Sequence, residues 1–446
     1  MRHTVFRWFV AASLLLTLLA PAVARTRPRY GGTLRIETSA DPLKPPDGIA
    51  RKLIFDTLTQ MNDKGEVVPG LAVSWDSQSE NHRWQFHLRP GVRFHDGSPL
   101  TAEAVVASLA QACDRCAWRA RAVGDTVIIT SEAPMPGLPA ELARSGYALT
   151  RRDESGNPNG TGPFRFQASS NGALFLAAND DSWQGRPFVD AVEIYGRRSV
   201  RAQWLDLTVG KADLVEAPPE LLRGAQQEHM PLIVSARPVD LLALTLSDQR
   251  LQDVHLRESI ALALDRMALF NVIFQKQGEV TASLLPGALS GYSFLFPTAT
   301  NLPRSRELRG AQAPPLRLGV DSSNTVLQLV AERLALNLRD AGWNVQVVSQ
   351  ATDPHTDLTL MLVHVEAADA ASALRETMER FGGAPPEDAA DPAGLYRTES
   401  QFLRSYNVVP LLYLPRAYGV SSRVHNLALA PDGTPLVADV SLEDAK

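Results

Sequence analysis

Residues 70–109 read GLAVSWDSQSENHRWQFHLRPGVRFHDGSPLTAEAVVASL, and this stretch decides the fold. Trp84, Phe86 and Leu88 alternate with Gln85, His87 and Arg89, the period-two pattern of a strand with one buried face. Arg89-Pro90-Gly91 supplies a turn, because Pro fixes φ and Gly accepts a positive φ. A short strand is expected over residues 92–94, followed by an Asp96-Gly97 turn. Thr101 stands where a helix N-cap belongs, and Glu103 sets a negative charge in the first turn, where the helix dipole favours it.

Around this stretch the chain is long, at 446 residues, more than one hydrophobic core usually supports, so two lobes are expected. A 45% hydrophobic and 21% charged composition describes an ordinary globular protein. The net charge of −5 offers no basic footprint for nucleic acid. Residues 1–24 have the layout of an export signal. Arg2 and Arg7 precede an apolar run over 9–19, and Ala22-Val23-Ala24 forms a small-residue cleavage site. No Cys stands at the cleavage point, so a freely soluble product exported to a bacterial periplasm is expected. Cys113 and Cys116 are the only cysteines. Their C-x-x-C spacing falls at the end of the predicted helix rather than at its start, which disfavours redox chemistry. No second ligand pair completes a zinc site. A local disulfide or two spectator thiols remain.

The 70–109 stretch closely resembles the segment that marks the bacterial extracellular solute-binding proteins of family 5, the dipeptide- and oligopeptide-binding class. Further segments extend the resemblance over the mature chain. Tyr30-Gly31-Gly32 opens a first strand over 33–37, and residues 54–58 resemble the family's helix carrying IFDTL. Residues 160–166 (GTGPFRF) resemble its GTGPY/F turn and strand. They are read as a structural turn, since no Lys-Ser/Thr follows to make a phosphate loop. Arg257, Ala261, Asp265 and Arg266 match a family helix pattern within a helix expected over 251–274, and residues 305–315 read as a loop or crossing segment. Residues 316–350 read as one βαβ unit: Leu316, Leu318 and Val320 alternate, Val326, Val330, Leu334 and Leu338 share a helix face, and Trp343, Val345 and Val347 alternate again. The resemblance implies an α/β, two-lobe periplasmic-binding-protein type II fold, with an extra subdomain on lobe I and a shortened lobe II. The implied division is a signal peptide at 1–24, lobe I at 25–240, lobe II at 241–414 and a return to lobe I at 415–446. Chain crossings are expected near 241–247 and 412–415.

The implied activity is that of a receptor for an ABC importer. It would bind a peptide or other small extended solute between the lobes and present it, as a monomer, to a permease and ATPase complex in the inner membrane. Peptide-binding members carry an aromatic W-x-x-D-Y-x-D-P motif whose Asp pairs with the peptide ammonium. The equivalent residues 358–374 here, LTLMLVHVEAADAASAL, lack its Trp, Tyr and Pro, leaving Glu366 and Asp369 as the carboxylates that could take that role. Candidate cleft residues are therefore Glu37, Thr38 and Ser39 after the first strand, Ser247 at the crossover, Tyr292, Glu366 and Asp369. An unpaired buried ammonium costs several kcal/mol, so ordinary free peptides are expected to bind weakly. No catalytic residue, cofactor or metal is expected: the chain has no G-x-S-x-G elbow, no H-E-x-x-H and no P-loop, and His82, His87 and His95 lack a complementary ligand set. The competing readings are an exported α/β hydrolase and a sensor or envelope chaperone that has lost transport.

Overall fold

The structure, a computed structural model, describes residues 29–42, 49–62, 64–113, 116–247, 250–292, 295–311, 313–350, 355–384 and 391–443. The export-signal reading of residues 1–24 lies outside them. Two mixed sheets form the frame. In the first, seven strands run in the order Phe164–Ser170, Ala173–Ala178, Ala191–Tyr195, Thr33–Glu37, Leu214–Glu216, Ala417–Val420, Leu232–Val234. Thr33–Glu37 pairs in parallel with Ala191–Tyr195 and with Leu214–Glu216. Leu34, Ile36, Leu174, Leu176, Val192 and Ile194 alternate into its core, closed by helix α1 (Ile49–Ile54). In the second sheet six strands run Glu279–Val280, Val408–Leu414, Asp240–Leu246, Leu358–His364, Leu316–Val320, Val345–Ser349. We call the bodies built on these sheets lobe I and lobe II.

The 70–109 stretch folds largely as its pattern dictates. Arg83–Leu88 alternates buried and part-exposed, with Trp84, Phe86 and Leu88 inward. It is the second strand of an antiparallel four-stranded sheet ordered Ala72–Gln78, Arg83–Leu88, Thr126–Ser131, Trp118–Val123. Helix α2 (Ala102–Ala112) covers this sheet with Ala102, Val105 and Leu109, and the Thr101 hydroxyl caps it by accepting from the Ala104 N–H at 3.3 Å. Burying such Leu and Val side chains contributes about 2 kcal/mol each. Residues 92–94 make only a single bridge, Arg93 to Pro99, rather than the expected strand. Cys113 and Cys116 form a disulfide just beyond the helix.

In lobe II the βαβ unit forms as expected: helix α3 (Thr325–Asp340) is capped by Asn324 and joins two parallel strands. Asp240–Leu246 is buried on both faces, Leu242 and Leu244 toward α3, Leu241 and Ala243 toward helix α4 (Ala370–Arg380). Three expectations are corrected. The helix expected over 251–274 breaks at Leu264, which is extended. Asp265 then caps a new short turn through the Ala268 N–H, and a π-helical turn Leu269–Ile273 follows. Residues 305–315 are not all loop, because Asn301 caps a helix at Leu302–Arg309 whose Pro303 occupies the first turn, where its missing N–H costs nothing. The IFDTL segment is not helical beyond its first residue, since α1 stops at Ile54.

The glycines of GTGPF explain that stop. A Cβ on Gly160 would lie 1.9 Å from the Ile54 carbonyl oxygen, and one on Gly162 would lie 2.6 Å from that of Leu53. The turn therefore packs directly on the end of α1. His95 pins it from the other side, with Nε2 facing the Gly162 carbonyl at 3.0 Å and Nδ1 accepting from the Gly160 N–H at 3.3 Å. Burial lowers the His95 pKa, consistent with a neutral ring that accepts on one nitrogen and donates on the other.

Candidate functional site at the lobe junction

The chain passes between the sheets twice, from Val234 to Asp240 and from Leu414 to Ala417. Asp240 binds these passages together. Its carboxylate accepts from Arg416 Nε at 2.9 Å and lies 2.8 Å from His364 Nδ1, and the paired cation holds it below the usual carboxylate range against the opposing effect of burial. His364 ends the Leu358–His364 strand, so the following loop, residues 365–369, is delivered to the face of lobe I.

There Glu366 meets Ser145. The Ser145 N–H donates to Glu366 Oε2 at 2.7 Å and its hydroxyl to Oε1 at 2.6 Å. Burial alone would push the Glu366 carboxyl up; the Lys52 charge and the Ser145 donors outweigh it and hold the group below its ordinary value. Ser145 is itself fixed by Arg51, whose Nε donates to the Ser145 carbonyl at 2.7 Å. Lys52 pairs with Asp432 and donates to Thr434 Oγ1 at 3.1 Å. Two further ion pairs cross between the bodies: Arg144 to Glu376 at 3.6 Å and Arg375 to Glu141 at 3.9 Å. Glu376 also accepts from the Glu366 and Ala367 N–H groups, each at 3.1 Å. A cavity of about 270 Å³ lies among these groups, walled by Arg51, Lys52, Phe55, Ser145, Glu366 and Asp432.

The sequence-derived candidates are distributed unevenly around it. Glu366 lines the cavity. Asp369 caps α4, accepting from the Ser372 N–H at 2.9 Å, while its second oxygen is buried without a hydrogen bond. Glu37, Thr38 and Ser39 sit at the end of the first strand within lobe I. Glu37 pairs with Arg198 at 3.4 Å, while the Thr38 hydroxyl and Ser39 N–H donate to Glu216 at 2.7 and 2.8 Å. Ser247 lies past the end of Asp240–Leu246 opposite the crossings, its N–H bonded to the Asp357 carbonyl at 2.8 Å. The crossings themselves are residues 235–239 and 415–416, so Ser247 is not at a crossover. Tyr292 packs edge-on to Tyr396 inside lobe II and donates to the buried Glu399. The residues that sequence reading missed are Arg51, Lys52, Arg144, Ser145, Glu376 and Asp432. Of these only the adjacent Arg51-Lys52 pair, two cations in the last turn of a short helix, carries a local signal.

Among the described residues no group of three His, Cys, Asp or Glu side chains is arranged to hold a metal ion. No helix among them is long and apolar enough to cross a membrane. Two α/β lobes are thus joined by two crossings, with a cavity between them. Residues 66–370 match the model of the bacterial extracellular solute-binding proteins, family 5 (Middle), and the chain belongs to that family of non-catalytic solute-binding proteins, associated with ABC transport. The chain is 34% identical over 154 residues to the uncharacterized protein YhjP of Bacillus subtilis, a match covering 32% of this chain and 27% of that one. It is 26% identical over 413 residues to probable di/tripeptide-binding protein 5 of Pseudomonas aeruginosa, covering 78% of this chain and 76% of the relative. The fold matches the periplasmic binding protein AgaA of A. tumefaciens R10, solved with agropinic acid, at a TM-score of 0.81 and 19% identity, over 93% of this chain and 99% of that one.

Proposed function

We propose that this protein is an exported receptor of an ABC importer. It captures a small peptide-like solute in the cavity between the lobes and presents it, as a monomer, to a permease and ATPase complex in the inner membrane. In this reading residues 1–24 are removed on export to the periplasm, residues 25–240 and 415–446 make lobe I with an added subdomain, and residues 241–414 make a shortened lobe II. The observation that carries the proposal is the meeting of Glu366 from lobe II with Ser145 from lobe I in one cavity. A cleft whose walls hydrogen-bond to each other can exchange those bonds for bonds to a solute as the crossings flex.

Peptide chemistry is favoured by the likeness to a probable di/tripeptide-binding protein. The ammonium end is the exception. Glu366 already holds two donors, and Lys52 sets a positive charge beside it, so a solute ammonium must displace the first and withstand the second. A blocked or ammonium-free solute avoids both costs. Calorimetry on free and N-acetylated dipeptides tests this. Free dipeptides should bind only at about millimolar Kd, and acetylated ones more tightly by about 1.4 kcal/mol or more. Micromolar binding of free dipeptides, lost on acetylation and lost again in Glu366→Gln, would make Glu366 an ammonium partner and overturn the assignment.

A further inference from the structure

A second and larger cavity, of about 680 Å³, lies within lobe I between α1, α2 and residues 149–152. Small-molecule sites occupy about 300–1,000 Å³, a range this cavity falls inside. All of its described walls belong to one lobe, so filling it does not require the lobes to close.

The lining divides into two chemistries. Ile54, Phe55, Phe94, Ala104, Ala107 and Leu149 make apolar walls. Arg51, Arg151 and Arg152 add three guanidinium groups, and no Asp or Glu is among the described lining residues. The guanidinium groups are held mainly by neutral oxygens. Arg51 donates to the Ser145 carbonyl at 2.7 Å, Arg151 to Ser98 Oγ at 2.8 Å, and Arg152 to the Gly156 carbonyl at 2.6 Å. Neutral acceptors orient a guanidinium without cancelling its charge. Asp96 forms a long, part-exposed ion pair with Arg151 at 3.9 Å, outside the cavity lining. Arg151 also lies over the Phe94 ring at 5.2 Å, which positions it at the border between the charged and apolar parts.

We propose that this cavity is a binding site for a small organic anion with an apolar body, such as a medium-chain or aryl carboxylate. Arg151 and Arg152 take the anionic head through charge-assisted hydrogen bonds, and the apolar walls take the body. The site is distinct from the junction cavity, although Arg51 and Phe55 line both, and it stands whether or not the junction binds peptides.

The test is titration calorimetry of the mature protein with decanoate, and with 1-decanol as a neutral probe of the same chain length. Decanoate should bind saturably, at least tenfold more tightly than decanol. The double variant Arg151→Gln/Arg152→Gln should weaken decanoate at least tenfold and leave decanol unchanged, whereas Arg404→Gln, an exposed charge on lobe II, should change neither. Ala107→Trp, on the exposed side of α2, should weaken both probes by filling the cavity. A photoreactive diazirine derivative of decanoate locates the site without any variant, with labelled peptides expected within residues 94–111 and 149–158. Equal binding of decanoate and decanol, wild-type affinity in the double variant, or labelling confined to residues 366–380 would each overturn the proposal.

Discussion

Glu366 and Glu399 are two carboxylates on the same lobe, the first part-buried and the second fully buried, both supplied with hydrogen-bond donors, yet their acidities are displaced in opposite directions. Glu399 accepts from the Ser283 hydroxyl at 2.6 Å, from the Leu284 and Leu285 N–H groups and from the Tyr292 hydroxyl, and burial still pushes its pKa up. Glu366 accepts from the Ser145 N–H and hydroxyl, and its pKa is held down. Two things differ: Glu399 is fully buried where Glu366 is part-buried, and Lys52 acts on Glu366 while no cation is among the groups that act on Glu399. Glu376 lies between the two cases. It has Arg144 at 3.6 Å, but the neighbouring Glu366 charge works against that pairing, and burial leaves its pKa raised. Neutral donors alone therefore satisfy a buried carboxyl without keeping it ionised; beside Glu366 the Lys52 charge, although also paired with Asp432, adds what they lack. The consequence is a division of labour. Glu399 is a fixed structural knot inside lobe II, and Glu366 is a charged contact between lobes.

The comparison is most exposed at Glu399. Glu399→Leu strands two hydroxyls and two buried N–H groups, and should lower stability by about 4 kcal/mol, read from the urea midpoint of the lobe II transition. Glu399→Gln keeps an acceptor for Ser283 and the N–H groups, and the Tyr292 hydroxyl can rotate to accept from the new amide. Its cost should be about 1 kcal/mol. If Gln and Leu prove equally damaging, Glu399 is held as the anion and the contrast with Glu366 collapses.

At Glu366 the expected effect is smaller and carries a pH signature. Glu366→Gln removes the charge from two hydrogen bonds and from the Lys52 interaction, a loss of about 2 kcal/mol at pH 7. The folded state holds Glu366 below the unfolded carboxyl value, so its stabilisation is fully present above about pH 4.3 and is lost as pH falls through the folded value. The gap between wild type and Glu366→Gln should therefore narrow below about pH 4.3. Glu399 has the opposite sign. With its folded value raised, acidification from neutral pH toward the unfolded value stabilises the wild type, and the gap to Glu399→Gln should widen over that interval. Thermal melts of the three proteins from pH 8 to pH 3 read both slopes, and parallel curves would contradict the assignment.

The two regions also differ in how much of them could be read from the chain. The 70–109 stretch was legible because its information is local: alternation sets the buried face of Arg83–Leu88, and Thr101 caps its own helix. The turn at 160–162 was legible as a turn, but the need for glycine there comes from the Ile54 carbonyl, more than a hundred residues away. The helix at Leu302–Arg309 was obscured by Pro303 and by charges that resemble loop composition, with Asn301 the overlooked cap. At the junction the right segment of lobe II could be named because residues 358–374 stand where the family resemblance places the W-x-x-D-Y-x-D-P motif. The partners of Glu366 could not, since Ser145 is 221 residues away and Asp432 reaches Lys52 from the C-terminal hairpin. Glu37, Thr38 and Ser39 have the polar character of ligand-facing residues, but in the fold they are bonded to Arg198 and Glu216 within lobe I. Residue type announces polarity; which polar group faces the gap depends on tertiary packing.

The smallest expected effect isolates closure from folding. Ser145→Ala removes the hydroxyl bond to Glu366 Oε1 but keeps the N–H bond to Oε2, so it should cost about 1 kcal/mol of lobe-to-lobe contact. The Ser145 side chain makes this bond across the junction, whereas the core of each lobe is untouched, so the loss should appear in the open–closed balance rather than in the melting temperature. One kcal/mol changes that ratio by about fivefold. Small-angle scattering of the ligand-free protein should then give a larger radius of gyration for Ser145→Ala than for wild type. Arg375→Ala sets the baseline: its 3.9 Å pair with Glu141 is long and part-exposed, and such pairs contribute about 0–1 kcal/mol, so its radius should stay closer to wild type. An unchanged radius in Ser145→Ala, with Arg375→Ala expanding the protein instead, would move the latch from Glu366 to the ion pairs beside it.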